Sequence, residues 1–320
     1  MAKLILHIGT HKTATTTIQA TFAKNQKIAQ SHGLTYPVLP NQHHGLVADW
    51  INLPKPYHYI GGAEAQWRSI NTIYGGTEST VLISTEELSR ATKGNRANFA
   101  QLREWTSGFD DVQVVCMLRE QVSLIQSIFF EVFRKSGQIE WGPFIDTCFS
   151  QKEATGVYLD FGGLYDRLLQ DFEPEEIVFL PYRPDGKGAN PLVTFLNHIG
   201  FPKLQDVMTQ ADANRSPAPL ETWLAVLLDR PNKFDPDLAD MISPIFEGKK
   251  TTMFSNPEYQ KVREVFKPLN DAFLARYSGL NARDLQLSEF PSETHMFRNQ
   301  MTQIYWLKLA KMLRASGREI

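Results

Sequence analysis

Cysteine is scarce: Cys116 and Cys148 are the only two in 320 residues. That excludes a disulfide framework and a cysteine-rich zinc site. A dominant charge is lacking too. Lys and Arg number 33 against 35 Asp and Glu, for a net charge of −2. A general nucleic-acid surface is therefore not indicated, and an anionic ligand has to be held by local positive groups. Long apolar runs are absent. The first, Leu4 to Gly9, is short and broken by His7, too short for a signal-peptide core or a membrane span. These features predict a soluble cytoplasmic protein with no transmembrane segment. The apolar fraction of 42% and the charged fraction of 21% are those of an ordinary globular chain. A chain of this size buries its core without disulfide or metal staples.

Four short runs rich in Val, Ile and Leu read as strands: Leu4 to Gly9, Thr80 to Ser84, Val112 to Leu118 and Ile177 to Tyr182. Nearly continuous apolar runs of this kind suit a parallel sheet buried on both faces. Cys116 falls inside one and reads as a buried thiol. Helical periodicity occupies Thr15 to Ser31, Asn95 to Ser107, Glu120 to Lys135 and Phe161 to Phe172. The alternation predicts a three-layer α/β/α fold with a central parallel sheet. Ligands in such folds bind at the carboxyl ends of the strands.

Thr35 to Thr77 differs, with four prolines, two Gly-Gly pairs and His43-His44. It reads as a long irregular insertion with one helix near Ala63 to Tyr74, and loops of that length are usually functional. The expected organisation is a single domain over 1–320, with an α/β core over 1–200 and a helical part over 201–320. Helices are expected at Pro191–Ile199, Pro219–Leu228, Pro257–Tyr277 and Ser292–Ala315. The last carries an apolar stripe through Met296-Phe297 and Ile304-Tyr305-Trp306-Leu307, which is core packing or a homodimer surface.

The chemistry is concentrated at the N-terminus. After the first strand come Gly9-Thr10-His11-Lys12-Thr13-Ala14-Thr15-Thr16-Thr17-Ile18-Gln19. A cation, hydroxyls and backbone N–H groups thus meet at a helix N-terminus, where an anion such as phosphate binds. The second Gly of a G-x-x-x-x-G-K-[ST] loop is missing, and so is a strand-end Asp for magnesium. The run resembles instead the phosphosulfate loop of sulfotransferases that use 3'-phosphoadenosine 5'-phosphosulfate. Ala14 stands at the usual Gly position, and one extra Thr precedes Ile18-Gln19.

A second part of the same resemblance is Arg119 at the end of the third strand, with Ser127 eight residues later. In that family a strand-end Arg and such a Ser hold the donor's 3'-phosphate. Here Glu120-Gln121 replaces Asp-Pro, and Leu124 replaces a second Arg. A weaker match follows the fourth strand, where Tyr182 stands in the place of a tyrosine near the nucleotide. A late loop, Ala213 to Pro217, brings Arg215 as a residue that closes over the 3'-phosphate or is simply solvated.

The resemblance implies a P-loop-like fold and a nucleotide donor, with 3',5'-adenosine bisphosphate as product and no metal. Sulfuryl transfer resembles phosphoryl transfer, so positioning and electrostatics carry it. Lys12 is then the group that offsets charge on the bridging oxygen. Thr13, Thr15, Thr16 and Thr17 supply donors to the 5'-phosphosulfate. The acceptor is a hydroxyl or amine, on a glycan or glycolipid, and its base is Glu86 or His11. A capping box of Ser84 with Glu87 accounts for Glu87 and leaves Glu86 to the cleft. His43, His44, Trp50, Tyr57, Tyr59 and Trp67 either line the acceptor side or fill a small core. Two alternatives stay open: a small-molecule kinase, and a non-catalytic nucleotide-binding protein of the same fold.

Overall fold

The structure is a computed structural model and describes all residues except 40–42, 137, 184–189, 212–217, 230–233 and 317–320. Five strands form one all-parallel sheet: β1 (Lys3–Gly9), β2 (Leu34–Thr35), β3 (Thr80–Ser84), β4 (Asp111–Leu118) and β5 (Ile177–Pro181). Their order is β2-β3-β1-β4-β5. The register sets Leu4 between Val81 and Val112. The four expected strands are present; β2 is too short to carry a periodic signal.

Side chains alternate across the sheet. Ile5, Leu82, Val115 and Met117 pack with Ile18, Phe22, Phe195 and Leu196 on one face. Phe179 joins Tyr165, Phe273 and Tyr277 on the other. Helices thus flank the sheet. The edge strand β5 is protected as well, because the Phe179 N–H donates to the Tyr277 hydroxyl at 2.9 Å. Cys116 is fully buried here, and burial pushes its thiol well up.

The expected helix Thr15–Ser31 is two: α1 (Thr15–Lys24) and α2 (Gln26–Ser31). Asn25 separates them, its side chain bonding the Thr21 and Thr209 carbonyls. The insertion carries α3 (Gly62–Tyr74), close to expectation, and two short 3-10 turns. Trp67 is fully buried and donates to the Leu46 carbonyl at 2.7 Å. Trp50 stacks on Trp105, rings 4.9 Å apart. Trp67 thus fills core, while Trp50 is half-buried over Trp105.

The chain forms two compact units, each assembled from three segments. The first holds 1–119, 156–214 and 269–285; the second holds 120–155, 215–268 and 286–320. Core and helical part are thus interleaved along the chain, without a divide at residue 200. In the second unit, α5 (Gln121–Ser136, in a chain order that counts α4 at Phe99–Trp105) is capped by the carboxylate of Glu120. That carboxylate accepts from the Val122 and Ser123 N–H groups at 2.8 and 2.9 Å. Phe129 anchors an aromatic cluster with Phe133, Trp141 and Phe144.

The expected helix Ser292–Ala315 is corrected. Met296-Phe297 lies in a short strand, His295–Phe297, paired in parallel with Lys250–Thr252. The helix spans only Gln303–Ser316. Gln126 explains the strand pair, since its Oε1 accepts from the Thr252 hydroxyl and the Met253 N–H, both at 2.8 Å.

Two histidines in the first unit are buried and neutral. His7, within β1, is pushed down to about 3 by burial. His43 is pushed down to about 4, again chiefly by burial. Both folded values lie below the unfolded value near 6.5, so their contribution is complete above pH 6.5 and is lost as pH falls. Lowered His198 and His295 act in the same direction. Glu87, held at about 2, loses its contribution only below its unfolded value near 4.5. Urea unfolding should therefore show stability falling between pH 7.5 and pH 5 by about 2 kcal/mol for each of His7 and His43. His7→Gln should reduce that fall, and a flat wild-type profile would contradict the buried neutral imidazoles.

Candidate functional site

The site is built where β1 and β4 end side by side. β1 leads on towards β2 and β4 towards β5, on opposite sides. Neighbouring strands whose connections diverge in this way open a crevice at their carboxyl ends. The turn after β1 fills it. Gly9, Lys12 and Ala14 have positive φ of 84°, 64° and 64°. Left-handed residues alternating in a turn point successive N–H groups inward and form an anion-binding concavity.

Gly9 is required twice over. Its φ is left-handed, and a Cβ there would lie 2.8 Å from the Cβ of Glu86. Ala14 is the N-cap of α1, with no side-chain cap bond. Its methyl group costs about 1–2 kcal/mol in this conformation, which glycine would avoid. The N–H groups opening α1 are left without a side-chain cap, at the positive end of the helix dipole.

The threonines divide by role, which corrects one expectation. Thr13 donates its hydroxyl to the Thr10 carbonyl at 2.6 Å. Thr10 donates its own to the Met117 carbonyl at 3.3 Å, and its N–H to the same carbonyl at 2.9 Å. Both are fully buried. Their hydroxyls hold the turn onto β4 and are not offered to a ligand. Thr15 is buried, Thr17 half-buried and Thr16 exposed.

Arg119 follows β4 directly. It is only 5% exposed, and its Nη1 donates to the Lys12 carbonyl at 3.2 Å. Its guanidinium also lies 5.6 Å from the ring centre of Tyr182. The Tyr182 N–H donates to the Leu118 carbonyl at 2.7 Å, which zips β5 to β4 past the last strand residue. Lys12, Arg119 and Tyr182 are therefore brought together. Ser127 belongs to α5 in the second unit. Arg215 lies outside the described residues.

The end of β3 supplies the carboxylates. Glu86 accepts from Gln19 Nε2 at 2.8 Å, and the same amide reaches the Ser84 carbonyl at 3.2 Å. Gln19, read from the sequence only as part of the motif, thus aims Glu86. The capping box of Ser84 with Glu87 does not form. Thr85 is the cap, its hydroxyl accepting from the Glu87 N–H at 3.4 Å, while Ser84 bonds the His7 ring at 2.8 Å. Glu87 pairs with Arg90, and with His11 at 3.7 Å. Those hydrogen bonds outweigh its burial and hold its carboxyl at about 2. His11 faces Glu87.

The insertion docks on this same strand end. His43 accepts from the Ser84 N–H at 3.0 Å and bonds the Pro37 carbonyl at 2.9 Å. It is a structural residue with both ring nitrogens engaged. His44 bonds the Thr85 hydroxyl at 3.0 Å and meets Tyr57 edge to face. Tyr59 lies so close to Gly45 that a Cβ there would meet its ring at 2.6 Å. Tyr36 was missed in the sequence. Its ring lies 4.3 Å from that of His43, its hydroxyl is buried without a partner among the described residues, and burial with the charge of Glu86 pushes its pKa well up. A tyrosine at the edge of a two-residue strand gives no signal of such a position.

No group of His, Cys, Asp and Glu among the described residues could hold a metal ion. No known protein family and no curated protein matches this chain.

The turn's conformation is testable without a ligand. Ala14→Gly should leave the melting temperature unchanged or raise it, whereas Ala14→Val should lower it, because β-branching adds crowding to the left-handed penalty of about 1–2 kcal/mol that the alanine already bears. Thr13→Val should cost about 1 kcal/mol for its lost bond to the Thr10 carbonyl. Equal stability of the glycine and valine variants would rule out a left-handed Ala14.

Proposed function

We propose that the chain is a sulfotransferase of P-loop-like fold that moves a sulfuryl group from 3'-phosphoadenosine 5'-phosphosulfate to an acceptor hydroxyl. The observation that carries this reading is the contact between Arg119 and the Lys12 carbonyl. It joins the two strand-end elements of the motif in one crevice, beside an uncapped helix start. A donor with phosphates at both the 3' and 5' positions needs two such cationic points, close together but on different strands.

In this reading the N–H groups of the turn and of α1 hold the 5'-phosphosulfate, joined by the Thr16 and Thr17 hydroxyls. Arg119 binds the 3'-phosphate, and Tyr182 packs on the nucleoside side. Lys12 offsets the charge that grows on the oxygen between sulfur and the 5'-phosphate. Glu86, aimed by Gln19, takes the acceptor's proton as the acceptor oxygen bonds to sulfur and the old S–O bond breaks. The sulfated acceptor and 3',5'-adenosine bisphosphate leave, and the proton remains on Glu86 until solvent removes it. The insertion's aromatic side, Tyr36, His44, Tyr57 and Tyr59, suits a glycan or lipid-linked acceptor. No step calls on a metal.

Calorimetry with 3',5'-adenosine bisphosphate should show binding in the presence of EDTA. Arg119→Lys keeps the charge but not the fork, and should weaken binding about tenfold or more. Glu86→Gln should leave that affinity unchanged while lowering turnover at least about 100-fold. Preference for ATP with magnesium would favour a kinase. Normal activity in Lys12→Ala would remove catalysis from the turn.

A further inference from the structure

We propose that the helix Gln303–Ser316 docks the protein onto an anionic phospholipid surface. The helix carries Lys308, Lys311 and Arg314 and no carboxylate. Its inner face is accounted for within the second unit. Leu309 and Leu313 are buried, Tyr305 stacks on Phe246 at 6.2 Å, and Lys308 pairs with Glu247.

The outer face is different. Ile304, Leu307, Lys311 and Arg314 recur at spacings of three and four, which aligns them along one side. Ile304 is 62% exposed and Leu307 54%. Trp306, 43% exposed, lies off that face, about 100° around the helix from Leu307. Apolar side chains thus crowd the first two turns and cations the last two. Such a face, apolar at one end and cationic at the other, suits the headgroup boundary of a bilayer.

Charge selects the occupant. An anionic surface neutralises Lys311 and Arg314 while Ile304 and Leu307 enter the headgroup boundary. A second copy would set these cations against the same cations or against Ile304 and Leu307, and either pairing costs desolvation without a compensating carboxylate. The inference stands apart from the donor chemistry proposed above, since it concerns only this helix.

The test is co-sedimentation of the full chain with phosphatidylcholine vesicles, with and without 30 mol% phosphatidylglycerol. The expected result is binding only to the anionic vesicles, lost in high salt. Each cation removed should weaken partitioning about fivefold, so K311Q with R314Q should weaken it about 25-fold. I304S with L307S should weaken it too, with melting temperatures unchanged because these side chains are exposed. Equal binding to both vesicle types, or unchanged binding by both double variants, would overturn the proposal. A dimer in sedimentation velocity that L307S dissociates would also overturn it, by assigning the face to a second copy.

Discussion

The bond from Arg119 to the Lys12 carbonyl is the constraint on which the candidate site depends. It spans two adjacent strand ends and ties a turn with three left-handed residues to a strand buried on both faces. Without it the guanidinium at the end of β4 and the cation of the turn would be independent groups. Arg119 is almost wholly buried, and a buried guanidinium keeps its hydrogen bonds because losing them costs several times what they contribute. Thr10 and Thr13 act in the same sense from inside the turn. The turn is thus held in shape by its own hydroxyls.

A second cluster grows at the end of β3. Gln19 ties the first helix to Glu86, and Gly9 is close enough to Glu86 that no side chain fits there. His43 and His44 bring the insertion onto the same strand end through Ser84 and Thr85. The insertion is therefore positioned by specific polar bonds at a strand tip, although its own sequence is irregular. The burial of His43 also gives the acid sensitivity of the fold a defined origin, as does that of His7. Neutral imidazoles within the core must give way as they become protonated.

The two carboxylates at the end of β3 have separate tasks. Glu87 is committed to Arg90 and His11 and stays ionised far into acid. Glu86 has the Gln19 amide as its partner. A base must accept a proton, and a carboxylate held at about 2 by cations is poorly suited to that work. The division of labour between neighbouring residues follows from which partner each reaches.

The sequence by itself determined the four long strands, the parallel sheet and the turn after the first strand. Their signals are local: runs of β-branched residues, a Gly and a Lys after a strand, hydroxyls opening a helix. The tertiary structure alone decided which hydroxyls face inward, since Thr10 and Thr13 differ from Thr16 only in what lies above them. It also decided that Thr85 caps where Ser84 was expected, because His7 on a neighbouring strand claims the Ser84 hydroxyl. The interleaving of two units, the strand at Met296-Phe297 and the place of Tyr36 depend on partners many residues away. Such contacts leave no periodicity in the chain, because they are set by packing and not by spacing.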